Sequence, residues 1–406
     1  MILLAHPFGN ANVRAVLSAL EGANLLARFV TTVGYAKDAT LLSFLPASAR
    51  RRSYELPTAR VKAYPAREVV RLLAVALGIP IRHERGWASI DRVWQELDAR
   101  AARYFCANKQ RQRIEAVYAY EDCALRLFTA ARALGVRRVY DLPIAYYETA
   151  QRILREEAER YPDWEPTLGG TRDSDEKLAR KRHELELADL VICPSNFVFD
   201  SIPEATRQAK PCVVIPFGSP ARELERVPEQ RSRPLRVLFA GALTQRKGLA
   251  DLFAACRLIG AGEIELVVMG SLLRPLRWYR ERLADFTYEP PRSHSEVLRL
   301  MRSCDVFVLP SLVEGRALVQ QEAMASGLPL IATRNAGGDD LIEEGVTGFL
   351  VPIRSPEALA EKLSWCAAHR EATSGMGIAA QERAAQLTWK GYGDKIVAAI
   401  QNLTGA

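Results

Sequence analysis

Short runs of apolar residues, many of them β-branched or aromatic, recur along the chain, and a stretch of helical character follows nearly every one. The first half holds "MILLA", "ARFVTTV", "AVYAY", "RRVYDL", "DLVICPS" and "PCVVIP"; the second holds "RVLFAG", "IELVVMG", "DVFVLPS", "LPLIAT" and "TGFLVP". Runs that stay apolar at consecutive positions describe strands buried on both faces, and intervening helices describe parallel strands covered on both sides. Such a chain is α/β, and two series of runs make two doubly wound, Rossmann-like domains. Its 406 residues exceed the length at which single cores stop growing.

The series break at "IPFGSPARELERVPEQRSRPLRVLFAG", where Pro216, Pro220, Pro228 and Pro234 stand among charges with no apolar period. This places a first domain at 1–216, a linker at 217–234, a second domain at 235–386 and a closing segment at 387–406. Two such domains face a central cleft at the carboxyl ends of their strands, where open α/β sheets bind ligands.

Composition narrows the class. The chain is 49% hydrophobic and 25% charged, the balance of a soluble globular protein. Seven scattered cysteines without a C-x-x-C pair argue against structural zinc or a disulfide framework and for a reducing compartment. "MILLAHPFGN" lacks the basic start and cleavage site of a signal peptide and reads as a first buried strand. No apolar run approaches the ~20 residues of a membrane-spanning helix. The net charge of +7 is concentrated: residues 50–113 hold fifteen Lys and Arg against six Asp and Glu. The arginines at 50–52, with Arg60, Lys62, Arg67 and Arg71 beside "VVRLLAVALGIPI", make a candidate face for anionic lipid or an acidic acceptor; solvated helix faces give the same count. Nucleic-acid motifs and the aromatic interleaving of a single-strand binder are absent.

The chemistry gathers just after strands. In "GALTQRKGLADLF", Gly241 gives a turn, and Arg246 and Lys247 precede a helix whose N-terminal amides favour an anion such as a diphosphate. In "VLPSLVEGRALVQQEAMASGLPLIAT", Glu314 falls in the loop after a strand, and Glu322 lies early on a helix starting near Leu318 and ending before Gly327 and Pro329. Two carboxylates so placed suit the hydroxyls of a sugar and a ribose, and amides of Gly315 to Leu318 suit phosphate or sugar oxygens. A solvated loop carboxylate and a salt-bridged helix residue are the plain alternatives.

"GALTQRKG", "VFVLPSLVEG", "EAMASGLPLIAT" and "LIEEGVTGFLVP", in that order, with Glu314 and Glu322 eight apart, resemble the nucleotide-binding half of glycosyltransferase family 4. "ADLVICPSNF" and "VIPFG" extend the likeness into the first half; residues 35–115 carry little of it. The resemblance implies a retaining enzyme of GT-B fold that moves a sugar from a nucleoside diphosphate sugar to a hydroxyl of a glycan or lipid-linked acceptor, in cell-envelope or exopolysaccharide synthesis. It implies that Glu322 binds the donor ribose, Glu314 meets the transferring sugar, and Arg246 with Lys247 neutralises the diphosphate, with no metal required. Gly9, Gly241, Gly315, Arg316, Ala317 and Leu318 complete the expected donor site. "TWKGYGDKIVAAIQNL" is similar to the family's closing helix, which crosses back onto the first domain. "DSD" at 173–175 resembles a metal-binding D-x-D but opens a helical stretch, where Asp is a common first-turn residue.

The pattern departs in three places. Ala242 stands where family members commonly carry arginine, leaving Gln245 or Arg246 to cover the phosphate. "EGRA" replaces the usual glycine-rich run, so Arg316 is a candidate contact for an acidic donor group. Asp141 falls near the position of the family's usual histidine, making it a candidate catalytic group beside Glu314 and Lys247; His6, with Gly9 and Asn10, is a second candidate near the cleft. A catalytically inactive nucleotide-sugar-binding relic is the alternative these departures raise, with an epimerase or phosphorylase behind it. The expected location is the cytoplasm, peripheral to the inner membrane surface.

Overall fold

The computed structural model describes residues 1–36, 52–79, 81, 84, 86–220, 233–260 and 262–405. Arg50, Arg51 and most of the expected linker fall outside them.

Strands β1 (Ile2–Ala5), β2 (Leu26–Thr31), β3 (Tyr35–Ala36), β4 (Ser53–Tyr54), β5 (Val61–Ala63), β6 (Ala116–Tyr120), β7 (Arg137–Asp141), β8 (Leu190–Cys193) and β9 (Cys212–Val214) belong to the first half. Seven form one parallel sheet in the order β5-β2-β1-β6-β7-β8-β9, while β3 and β4 pair separately. β1 sits near the middle, flanked by β2 and β6, which is why all four of its residues are buried. The second half adds β10 (Leu235–Ala240), β11 (Ile264–Met269), β12 (Thr287–Glu289), β13 (Val306–Leu309), β14 (Leu330–Thr333) and β15 (Gly348–Val351). They form a second parallel sheet, ordered β12-β11-β10-β13-β14-β15. In each sheet the order reverses next to the first strand of the series, the topological switch point at which α/β sheets open a crevice.

The passages between the domains near residues 219 and 387 lie side by side: the Ser219 amide donates to the Leu387 carbonyl at 2.6 Å. The helix Trp389–Thr404 then packs Tyr392, Ile396 and Ile400 into the first domain's core, with Val13, Val16 and Leu20 of the helix Ala11–Gly22.

One part of the 1–216 stretch belongs physically to the other domain. Trp164, on the short 3-10 turn Pro162–Thr167, is buried in the second core, edge-on to Phe253, Trp278 and Tyr279. A lone tryptophan among charges carries no period in sequence, so the crossing was not legible there. "DSD" resolves as a cap: Ser174 accepts the Lys177 amide at the start of the helix Asp175–Leu187, and Asp173 pairs with Lys177 at 2.9 Å.

Candidate functional site

The cleft lies between the two sheets and encloses about 600 Å³, within the range of small-molecule sites. Asn10, Asn12, Pro143 and Phe217 line it from the first domain; Gly241, Ala242, Lys247, Gly270, Arg316, Ala317, Leu318 and Glu322 line it from the second, with Glu314 between.

Its floor requires glycine. Gly241 follows β10 at φ 151° and Gly270 follows β11 at φ 147°, and a Cβ on Gly270 would overlap the Gly241 carbonyl oxygen. Backbone can therefore approach a ligand closely. The next loop is a 3-10 turn, Gln245–Lys247, capped by Thr244, whose hydroxyl accepts the Arg246 amide and donates to the Thr167 carbonyl at 2.6 Å.

Glu314 is the electrostatic centre. Lys247 Nζ stands 2.8 Å and Arg246 Nη1 2.6 Å from its Oε1. Burial alone would push the Glu314 carboxyl up, but the attraction of Lys247 and Arg246 more than reverses it and leaves it below the ordinary value. Two cations on one carboxylate leave the triad with a net positive charge at the cleft wall. Glu322 sits on the helix Leu318–Ala325, half-buried, 3.5 Å from His294 Nδ1. Burial raises its carboxyl, and His294 opposes the rise.

Arg316 is held from all sides. Its guanidinium pairs with Asp340 at 2.7 and 2.9 Å, donates from Nε to Gln321 Oε1 at 3.1 Å and reaches the Pro194 carbonyl of the first domain at 3.3 Å. Its Nη2 is buried with no protein partner, a spare donor in a residue of the cleft wall. Gly315 acts at the domain seam: a Cβ there would overlap the Pro143 carbonyl oxygen, and the Gly315 carbonyl accepts from Ser195 Oγ at 2.6 Å.

Five expectations change. Asp141 does not face the cleft: it is 1% exposed, and Tyr118 donates to its Oδ2 at 2.6 Å. Burial drives its carboxyl up to about 7 despite that hydrogen bond. Gly9 packs on the Tyr54 ring, and its carbonyl accepts from Arg14 at 2.9 Å; its neighbours Asn10 and Asn12 reach the cleft instead. Gln245 cannot cover a phosphate, because it is fully buried and donates to Glu157 at 2.6 Å and Asp251 at 2.9 Å. Arg246 turns toward the loop, its Nη1 also donating to the Val313 carbonyl at 2.8 Å. His6 is likewise buried; its Nδ1 accepts the Phe8 amide at 2.9 Å and burial lowers its pKa to about 4, which keeps it neutral. Sequence reasoning missed Asn12, in the first turn of the helix Ala11–Gly22, Asp340, in a turn, and Ser195, which caps the helix Asn196–Ser201 and lies within "ADLVICPSNF" without being singled out there.

Residues 234–369 match the family Glycosyl transferases group 1. The match takes up about a third of the chain, all of it in the second half. The cleft wall from Gly241 to Glu322 lies wholly inside the matched residues. The amylovoran biosynthesis glycosyltransferase AmsK of Erwinia amylovora is 33% identical over 144 residues, covering 32% of this chain and 35% of AmsK. The chain spans about a quarter to a half of the length of the curated relatives it matches. Over the whole chain the fold is GT-B. Sucrose-phosphate synthase from Thermosynechococcus elongatus superposes with TM-score 0.67 at 18% identity, covering 100% of this chain and 99% of that one. Anabaena Alr3699/HepE, solved in complex with UDP, superposes at 0.61 and 17% identity over 99% of each chain.

Proposed function

We propose that the protein is a retaining glycosyltransferase that moves a sugar from a nucleoside diphosphate sugar to a hydroxyl of a cell-envelope or exopolysaccharide glycan or glycolipid. The observation that carries this reading is the Lys247–Glu314 pair on a glycine-floored cleft wall, made net positive by Arg246 behind it, with Glu322 on the same wall. AmsK, by its name, acts in amylovoran synthesis, and the HepE structure holds UDP; both support the class of donor and product.

The chemistry requires that charge growing on the leaving diphosphate be stabilised while positive character develops at the anomeric carbon. Lys247 serves the first need, with the amides that open the helix Leu318–Ala325. A diphosphate entering the cleft competes with Glu314 for Lys247 and frees that carboxylate toward the sugar. Glu322 is placed to accept from ribose hydroxyls. In same-face transfer the leaving phosphate takes the acceptor proton, so the paired carboxylates of a glycosidase are not needed. Asn10, Asn12 and Pro143 on the opposite wall are where an acceptor approaches.

The test is a thermal-shift panel of UDP, GDP, ADP, CDP and dTDP with their sugars, on wild type and Glu322→Ala. A ligand at ~100-fold over its Kd adds about 2.7 kcal/mol. One nucleotide shifting the wild type and not the variant supports the reading; a folded protein shifted by none of them counts against it. Acceptor-dependent release of the nucleoside diphosphate then separates a transferase from a binding relic.

A further inference from the structure

Nine of the fourteen large apolar side chains exposed among the described residues fall between positions 69 and 90. On the helix Ala66–Ala76, Val69, Leu72 and Leu73 face solvent at helical spacing, joined by Val75, and the row continues through Leu77 and Ile79. Leu73 is 57% and Leu77 75% exposed, whereas the residue that this helix buries is a carboxylate, Glu68. A surface helix ordinarily turns its apolar stripe inward. This one turns it outward, and contiguous exposed apolar patches mark interaction sites.

The charges around the row define the occupant. Glu68 is shared by Arg52 at 3.0 Å and Arg71 at 2.7 Å; Glu96 is shared by Arg67 at 2.5 Å and Arg100 at 3.2 Å. Each carboxylate holds two guanidiniums, so each cluster keeps a net positive charge beside the apolar row. Arg67 also lies 4.4 Å from the centroid of the Trp87 ring, itself 55% exposed. An apolar helical face with a tryptophan and arginines at its margin is the composition of an element lying in a membrane interface. A second copy fits less well, because a two-fold contact through this face would bring the same net-positive clusters against each other.

We propose that this face, made by Val69, Leu72, Leu73, Val75, Leu77 and Ile79 with Trp87 at its margin, docks in the plane of an anionic lipid bilayer. Among the described residues no helix is long and apolar enough to cross a membrane, and an 11-residue helix is only about 16 Å long. The helix leaves the carboxyl end of β5, the end of the sheet that faces the cleft. The anchor therefore rests on the transferase reading only for its purpose, which is to bring the cleft to a lipid-linked acceptor.

The experiment is co-sedimentation of the full chain with phosphatidylcholine vesicles, with and without phosphatidylglycerol, comparing wild type with the Leu73→Asp/Leu77→Asp double variant. Both side chains are exposed, so the variant folds. Wild type is expected to pellet with the anionic vesicles, less so in high salt, and the variant to lose at least about tenfold in partition. The variant's nucleotide-induced thermal shift should equal that of wild type. Failure of wild type to bind anionic vesicles, or equal binding by the variant, overturns the anchor. So does a wild-type dimer without lipid that becomes monomeric in the variant, which would assign the face to a second copy. Vesicle binding without any nucleotide shift would leave the anchor standing and remove the transferase reading instead.

Discussion

Glu314 shows how one carboxylate can organise a site: stripped of its two cations it would be a costly buried charge, and with them it leaves a wall poised for an anion. Lys247→Ala should therefore lower kcat by about 100-fold, the range for removing one donor that stabilises developing charge. Glu322→Ala should act mainly on KM for the donor, and steady-state kinetics on the two variants separates the roles. Asp141 provides a different prediction, of stability. Its ordinary carboxyl value near 3.8 rises to about 7 in the fold, so between those pH values the folded chain holds a proton that the unfolded chain has lost. Stability from this group falls as pH rises through that window and stays reduced above it, by up to roughly 4 kcal/mol. Asp141→Asn keeps an acceptor for Tyr118 and removes the penalty, so its melting temperature relative to wild type should be higher at pH 8 than at pH 4. An equal difference at both values would show that Asp141 is not held protonated. The same burial explains why the strand-end position misled: a carboxylate after an apolar run can face the cleft or turn back among tyrosines, and only packing decides.

Among the elements, the second domain was nearly transparent in sequence, because its strands are continuous apolar runs and its site helix carries its own boundaries. That helix ends at Ala325, followed by Gly327 at φ 84° and Pro329, as the residue order required. The first domain was less legible where elements are short. β3 and β4 have two residues each, below any period, and the helix Ala66–Ala76 inverts the usual stripe. The loop Ser311–Ala317 shows what motif reading omits: Gly315 is the place where the second domain touches the Pro143 carbonyl of the first. Gly315→Ala should wedge the two apart. The expected result is a larger radius of gyration by small-angle scattering with both domains still folded, and donor affinity weakened at least about tenfold, since a 1 Å misplacement can cost far more. Unchanged scattering would mean that the loop yields locally.

For the whole molecule, the question is how firmly the two domains act as one body. The side-by-side crossings near Ser219 and Leu387 make one seam. A further one is polar and buried: Glu157 of the first domain's chain, fully buried, accepts from Gln245 at 2.6 Å and Arg354 at 2.8 Å and lies 3.4 Å from Arg160, which in turn reaches Asp251 at 2.8 Å. This network grips the loop that carries Lys247, so closure of the cleft and the geometry of the diphosphate site are mechanically linked. Removing one partner of a buried ion pair costs about 3–5 kcal/mol, because the remaining charge is left uncompensated. Arg354 is suited to the test: its side chain is 24% exposed, and it contacts Glu156, Glu157 and the Ile153 carbonyl across the seam. Arg354→Ala should uncouple the domains, so that calorimetry resolves two thermal transitions where wild type shows one, and a nucleoside diphosphate should raise only the transition of the second domain. If the variant keeps a single transition at an unchanged temperature, the crossings and the contacts of Gly315 and Arg316 with the first domain hold the molecule together without Arg354, and Gln245 is fixed from within its own domain through Asp251.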